Sequence, residues 1–124
     1  MIFPLSFLKS LKHAWRGLRL CFRTERSFRI QVAGTVLVTG LAILFPLQTW
    51  ERVSLAFVVM VVLVLELINS SLERLVDLVK PRLHEYVGDV KDLMAGAVLV
   101  AASAAVVVGL LLFWPHLIDS FRRV

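Results

Sequence analysis

A chain of 124 residues has room for one domain, and this one is 59% hydrophobic with a mean hydropathy of +0.84, which excludes an ordinary soluble globular protein. Its single cysteine, Cys21, excludes an intrachain disulfide and a cysteine-based metal site. The net charge of +5 is unevenly placed: seven of the fourteen Lys and Arg residues precede Ile30, and Glu25 is the one acid among them.

Residues 1–28 read as an amphipathic surface helix. Phe3, Phe7, Leu11, Trp15, Leu18 and Phe22 recur at three- and four-residue spacing, while Lys9, Lys12, Arg16, Arg19 and Arg23 occupy a separate face about 80° wide. Pro4 is tolerated in a first turn. Cations opposite an aromatic face fit an anionic membrane surface better than nucleic acid or a soluble partner. The basic residues run through Arg29 without a small-residue cleavage site, so the segment does not read as a cleavable signal.

Three membrane helices are predicted after it, over 30–48, 53–79 and 93–115, which makes residues 1–124 one all-α integral membrane domain. Pro46 to Arg52 reads as a turn, with a break at Lys80 before Pro81 and a polar linker from Arg82 to Lys91. Trp50 and Trp114 fall at membrane edges. Glu51, Glu85, Asp89 and Asp119 read as solvated loop charges, and Cys21 as an ordinary membrane-proximal side chain. The 74–92 connection carries Arg74, Lys80, Arg82 and Lys91, against Arg52 alone in the 46–53 turn and Arg122 and Arg123 in the tail. The positive-inside rule then puts the N-terminus in the cytoplasm and the C-terminus outside. Ala95, Gly96, Ala97, Ala101, Ala102, Ala104, Ala105 and Gly109 let helices approach closely, which favours homo-oligomerisation.

The second span carries the chemistry. On one helix Glu66, Asn69, Glu73 and Asp77 share an arc of about 80°. Glu66 lies next to an apolar run, where an ionisable group costs several kcal/mol unless it serves a partner or a reaction. Glu25, Glu66, Asn69, Glu73, Asp77 and the Lys91-Asp92 pair gather at the cytoplasmic mouth. Such carboxylates suit Mg²⁺, which takes one or two of them and completes its shell with water and phosphate oxygens. Lys91, His84, Arg29 and the basic helix suit a polyphosphate, and Glu66 suits a base facing an alcohol at the lipid boundary. No Walker-type or kinase-type glycine-rich loop is present. Spacing alone leaves other readings open. A small oligomeric proton or cation channel or carrier would use Glu66 and Glu73, but Val53 to Leu65 offers only Ser54 to continue a polar path. A non-catalytic scaffold leaves Glu66 unexplained.

Glu25-Arg26-Ser27-Phe28-Arg29, the run Glu66-Leu67-Ile68-Asn69-Ser70-Ser71-Leu72-Glu73 with Asp77, then His84 and Lys91-Asp92-Leu93-Met94-Ala95-Gly96-Ala97 resemble the small bacterial diacylglycerol kinase/undecaprenol kinase family. Trp15-Arg16-Gly17-Leu18-Arg19 fits the same pattern, and Ser71 replaces its usual small Ala. The resemblance implies a homotrimer with composite sites between subunits, in the bacterial inner membrane. It also implies phosphorylation of a lipid alcohol by Mg-ATP. By that resemblance Glu66 is the general base, Glu25 and Glu73 bind Mg²⁺, and Asn69 and Asp77 support that shell. Lys91 and His84 meet the phosphates, Asp92 orients the Lys91 region, and Gly17 with the basic helix covers the nucleotide. Phe28-Arg29-Ile30-Gln31 and the Gly109 to Pro115 stretch look more like the undecaprenol subtype. The Asn69-Ser70 pair looks more like the diacylglycerol subtype, so undecaprenol is the favoured lipid and diacylglycerol the next.

Overall fold

The computed structural model describes residues 3–79 and 84–124. Within them the chain is all helical: α1 (Phe3–Thr24), α2 (Arg26–Leu44), α3 (Thr49–Val79) and α4 (His84–Arg122). The last three are long and apolar enough to cross a membrane. The predicted break at Lys80-Pro81 lies outside the described residues, as does the side chain of His84.

The helices run further than the apolar stretches that reveal them. α3 starts at Thr49 rather than Val53 because Gln48 and Glu51 form half of a capping box. The Glu51 Oε1 accepts the Gln48 backbone N–H at 3.0 Å, satisfying a donor that the first turn leaves free. α4 starts at His84 rather than Leu93. The stretch expected as a polar linker is its first two turns, with Val87 buried and Glu85 placed where an acid complements the helix dipole. α4 also passes through Pro115 to Arg122. A proline removes one intrahelical bond and bends a helix without having to end it. Glu85, Asp89 and Asp119 are therefore exposed helix residues rather than loop charges. Glu51 is corrected more sharply. It is 7% exposed, and its Oε2 stands 3.3 Å from the His116 Nε2, a contact in which the ring nitrogen donates.

α3 is the central element, packed chiefly along α4 and then against α2. Leu47, Leu55, Leu112 and Phe113 form the one buried apolar cluster among the described residues, with Phe45 and Leu41 against it. There α2 meets α4, the Phe45 ring lying edge-on to Phe113 with centroids 5.8 Å apart. This places the core at the Glu51–His116 end. Starting at this cluster, a groove of about 560 Å³ runs between α2 and α4, with Leu55, Val58, Val59 and Val62 of α3 in its lining.

Length sets the depth of the stripe. At 1.5 Å per residue, an apolar core about 30 Å thick takes up roughly 20 residues of α3. If that core begins at Thr49, Glu66 lies near its far edge, and Glu73 and Asp77 lie roughly 7–13 Å beyond it.

Candidate active site

The joint between α1 and α2 is a single residue. Glu25 adopts extended geometry (φ −110°, ψ 112°), while its N–H still donates to the Cys21 carbonyl at 2.9 Å. The Arg29 Nη1 closes the joint, donating to the carbonyls of Phe22 at 2.9 Å and Arg23 at 3.0 Å. A cation is favourable on those free carbonyls. Arg29, expected to face phosphate, thus holds the end of α1. A third tie is the Arg74 Nη2, which donates to Thr24 Oγ1 at 3.0 Å and draws α3 to the same point.

These ties lay the α1–α2 joint against the inner face of α3, which carries Val62, Glu66 and Ser70 one turn apart, all buried. Glu66 is 3% exposed. Its Oε2 accepts the Ser27 hydroxyl at 3.0 Å. One turn further on, the Ser70 hydroxyl donates to the Glu25 Oε1 at 3.2 Å. The two bonds cross the same interface in opposite senses, α3 offering Glu66 and Ser70 and the start of α2, with its cap residue, offering Ser27 and Glu25. The buried Glu66 carboxylate and the half-buried Glu25 carboxylate each have a donor, as burial demands.

Cys21 lies under this crossing, 4% exposed. Burial pushes its thiol above the ordinary range, partly offset by a hydrogen bond with Ser70, and the nearby Glu25 and Glu66 push it further up. It is a packed thiol beside these two carboxylates.

The rest of the stripe opens outward. Asn69 and Glu73 are half-buried and Asp77 is exposed, a gradient that follows the helix out of the apolar layer. Asp77 Oδ1 pairs with the Lys91 Nζ at 3.0 Å, so Lys91 reaches back to α3 rather than to its neighbour Asp92, which is exposed. Both partners of that bridge are substantially solvated, which limits it to under about 1 kcal/mol and leaves the lysine free to exchange it for another anion. Gly17 is exposed on α1 with open space where a Cβ would stand. Next to it, Trp15, Leu18, Arg19, Phe22, Phe28 and Val32 line a hollow of about 440 Å³ between α1 and α2.

Of the residues singled out from sequence, the structure joins Glu25 and Glu66 in one cluster and Asp77 with Lys91 in a second. Asn69 and Glu73 line the stretch between them, and Asp92 and Gly17 stand apart. Ser27, Ser70 and Cys21 were missed as parts of the site. Ser70 was within reach of sequence reasoning, being one turn from Glu66 on the same face.

Comparison with known proteins decides what this arrangement belongs to. The family model for prokaryotic diacylglycerol kinase matches residues 12–113. The chain belongs to that family, and it is a lipid kinase. A diacylglycerol kinase from Synechocystis is 42% identical over 115 residues, which cover 92% of this chain and 66% of that relative. The chain thus spans just under two thirds of the length of that protein. An undecaprenol kinase from Bacillus subtilis is 36% identical over 90% of each chain. The diacylglycerol kinase from Escherichia coli K12 is 33% identical over 88% of this chain and 89% of its own. The family, together with the three apolar helices, makes this a bacterial membrane protein.

Proposed function

We propose that this kinase transfers the γ-phosphoryl group of Mg-ATP to the hydroxyl of a membrane lipid, with Glu66 as general base. The observation that supports the reading best is the position of Glu66. It is a carboxylate 3% exposed, at the edge of the apolar layer, with Oε2 held by Ser27 and, among the described residues, no basic side chain bonded to it. A buried carboxylate without a counter-charge is costly to keep unless it has work to do. In the reaction the lipid O–H proton passes to the Glu66 carboxylate. The lipid oxygen bonds to the γ-phosphorus, the bond from phosphorus to the bridging oxygen breaks, and ADP leaves with its electrons. Little covalent work falls to the protein in such a transfer, so positioning and charge carry it.

Glu25 and Glu73 are the residues that would hold Mg²⁺, with Asn69 and Asp77 supporting them. Among the described residues no three His, Cys, Asp or Glu side chains of one chain gather as a metal cluster. A cation content with one or two carboxylates, the rest of its shell being water and phosphate oxygens, fits that donor set. Its chemistry when bound is to neutralise charge on the phosphate oxygens. Lys91, released from Asp77, would meet the phosphates with His84, and Asp92 would orient that region. Gly17 and the basic face of α1 would cover the nucleotide, and Arg29 would hold the joint that keeps Glu25 in place.

The same reading puts α1 on the cytoplasmic face, its exposed Phe7, Leu11, Trp15 and Leu18 in the acyl boundary and its cations at anionic headgroups. The N-terminus is then inside, the C-terminus outside, and the working assembly a homotrimer with composite sites.

For the lipid we favour undecaprenol, on the Phe28-Arg29-Ile30-Gln31 and Gly109 to Pro115 stretches. Diacylglycerol is the second reading, and the 42% identity to a diacylglycerol kinase favours it. Purified protein incubated with labelled Mg-ATP and each lipid in mixed micelles tests both. Label transferred to undecaprenol several-fold faster supports the first choice, and the reverse order installs the second. No transfer to either overturns the reading.

A further inference from the structure

We infer that Ser27 is a positioning residue for the reaction, acting through Glu66; this rests on the reading of Glu66 as the base. Among the described residues the Ser27 hydroxyl donates to the Glu66 Oε2, across the α2–α3 interface at 3.0 Å. The distance is at the long end of the O–H···O range, so the bond is not a short, strong one. Its value is directional. A glutamate side chain has three rotatable bonds, and the carboxylate plane of a buried one is set by what its oxygens touch. With Oε2 taken by Ser27, Oε1 is the oxygen left to receive a proton.

The crossed bond one turn away makes the arrangement a pair. Ser70 is itself 6% exposed, and its hydroxyl fixes Glu25 Oε1 at 3.2 Å. The base and the residue proposed to hold the metal are thus each oriented by a serine on the opposite helix. Sliding or rotating α2 against α3 breaks both bonds together, so the clasp couples the spacing of the two carboxylates to the seating of the helices. Mispositioning of a reacting group by about 1 Å is enough to cost up to about 100-fold in rate. Losing one of its two anchors, the hydroxyl or the packing around it, costs a fraction of that.

Ser27 is exposed on its outer side and sits in the first turn of α2. Alanine there keeps the helix, since it is the best helix former. Ser27→Ala is expected to lower kcat roughly 10-fold, with KM for Mg-ATP and for the lipid unchanged and melting temperature near wild type. Ser27→Thr, which restores a hydroxyl, is expected to recover most of the turnover. In a Glu66→Gln background, Ser27→Ala is expected to bring no further loss, because the two changes act through one group. Wild-type turnover in Ser27→Ala, or an equal loss in both backgrounds, overturns the inference while leaving Glu66 as the base. Full activity in Glu66→Gln alone overturns the base and the inference with it.

Discussion

At the scale of single residues, the question is whether Glu66 does chemistry or only fills space. Proton transfer by a placed side chain contributes about 10²- to 10⁴-fold, so Glu66→Gln is expected to lower turnover by about that much. Apparent affinity for Mg-ATP should hold, because an interaction made in the transition state shows in kcat. If Glu66 were merely structural, Glu66→Gln would stay active and Glu66→Ala would mainly lower the melting temperature. Measuring both quantities for both variants separates the cases. The proposed metal residues have a different signature. Glu25→Gln and Glu73→Gln are expected to move the magnesium titration to higher concentration, and an unmoved curve removes that residue from the metal. The one-helix projection was enough to put Glu66 on an inner face and to grade the stripe toward water. It does not tell which residue of another helix lies opposite. Ser27 and Cys21 therefore entered only with the structure, and Arg29 turned out to cap α1 at carbonyls no sequence pattern had marked.

At the scale of elements, the three spans were readable because each contains an uncharged apolar run, and their ends were not. Apolarity marks where a helix crosses lipid. Caps and packing decide where it stops, and these depend on one or two polar contacts. Glu51 illustrates the point. Read as a loop charge, it is instead the first-turn acid of α3, joined to the Gln48 N–H at 3.0 Å and to His116 at 3.3 Å. Beside them Phe45 lies 6.3 Å from the His116 ring, centroid to centroid. The contact ties the α2–α3 turn to the last turns of α4 and gives those turns a reason to persist past Pro115. Removing one partner strands buried polar groups, so Glu51→Ala is expected to cost about 1–3 kcal/mol. Replacing both, as in Glu51→Leu with His116→Phe, is expected to recover much of the loss, because paired polar groups exchange for apolar packing at little net cost. Melting in detergent, run as a double-mutant cycle, checks this. Additive losses would mean that the two side chains do not act as a pair.

At the scale of the whole molecule, a single chain is incomplete in a specific way. Only 6% of the apolar window of α2, 22% of that of α3 and 11% of that of α4 is buried within it. Lipid covers apolar helix faces, so this alone requires no partner. Lipid does not cover Asn69 and Glu73, which are half-buried between two clusters, nor does it complete a metal shell. In the proposed trimer a neighbouring subunit would supply what is missing. The structure also determines which mixing experiment is informative. Glu25, Ser27, Glu66 and Ser70 are joined within one chain, so variants at Glu25 and Glu66 damage the same half of a site and should not rescue each other. Asp92 is exposed and makes no bond to that cluster among the described residues, so in the proposed trimer it is the residue a neighbour would lend. Glu66→Gln and Asp92→Asn subunits, each inactive alone, are therefore expected to regain activity when unfolded, mixed in equal amounts and refolded together. In a closed ring each site draws one half from each of two neighbours. The chance that both halves are intact is one half times one half, so recovery should approach about a quarter of the wild-type rate. Sites built from a single chain would recover nothing, because every chain in the mixture carries a defect. Recovery in the Glu25 with Glu66 mixture would instead mean that the two crossed serine bonds do not lie in one catalytic site.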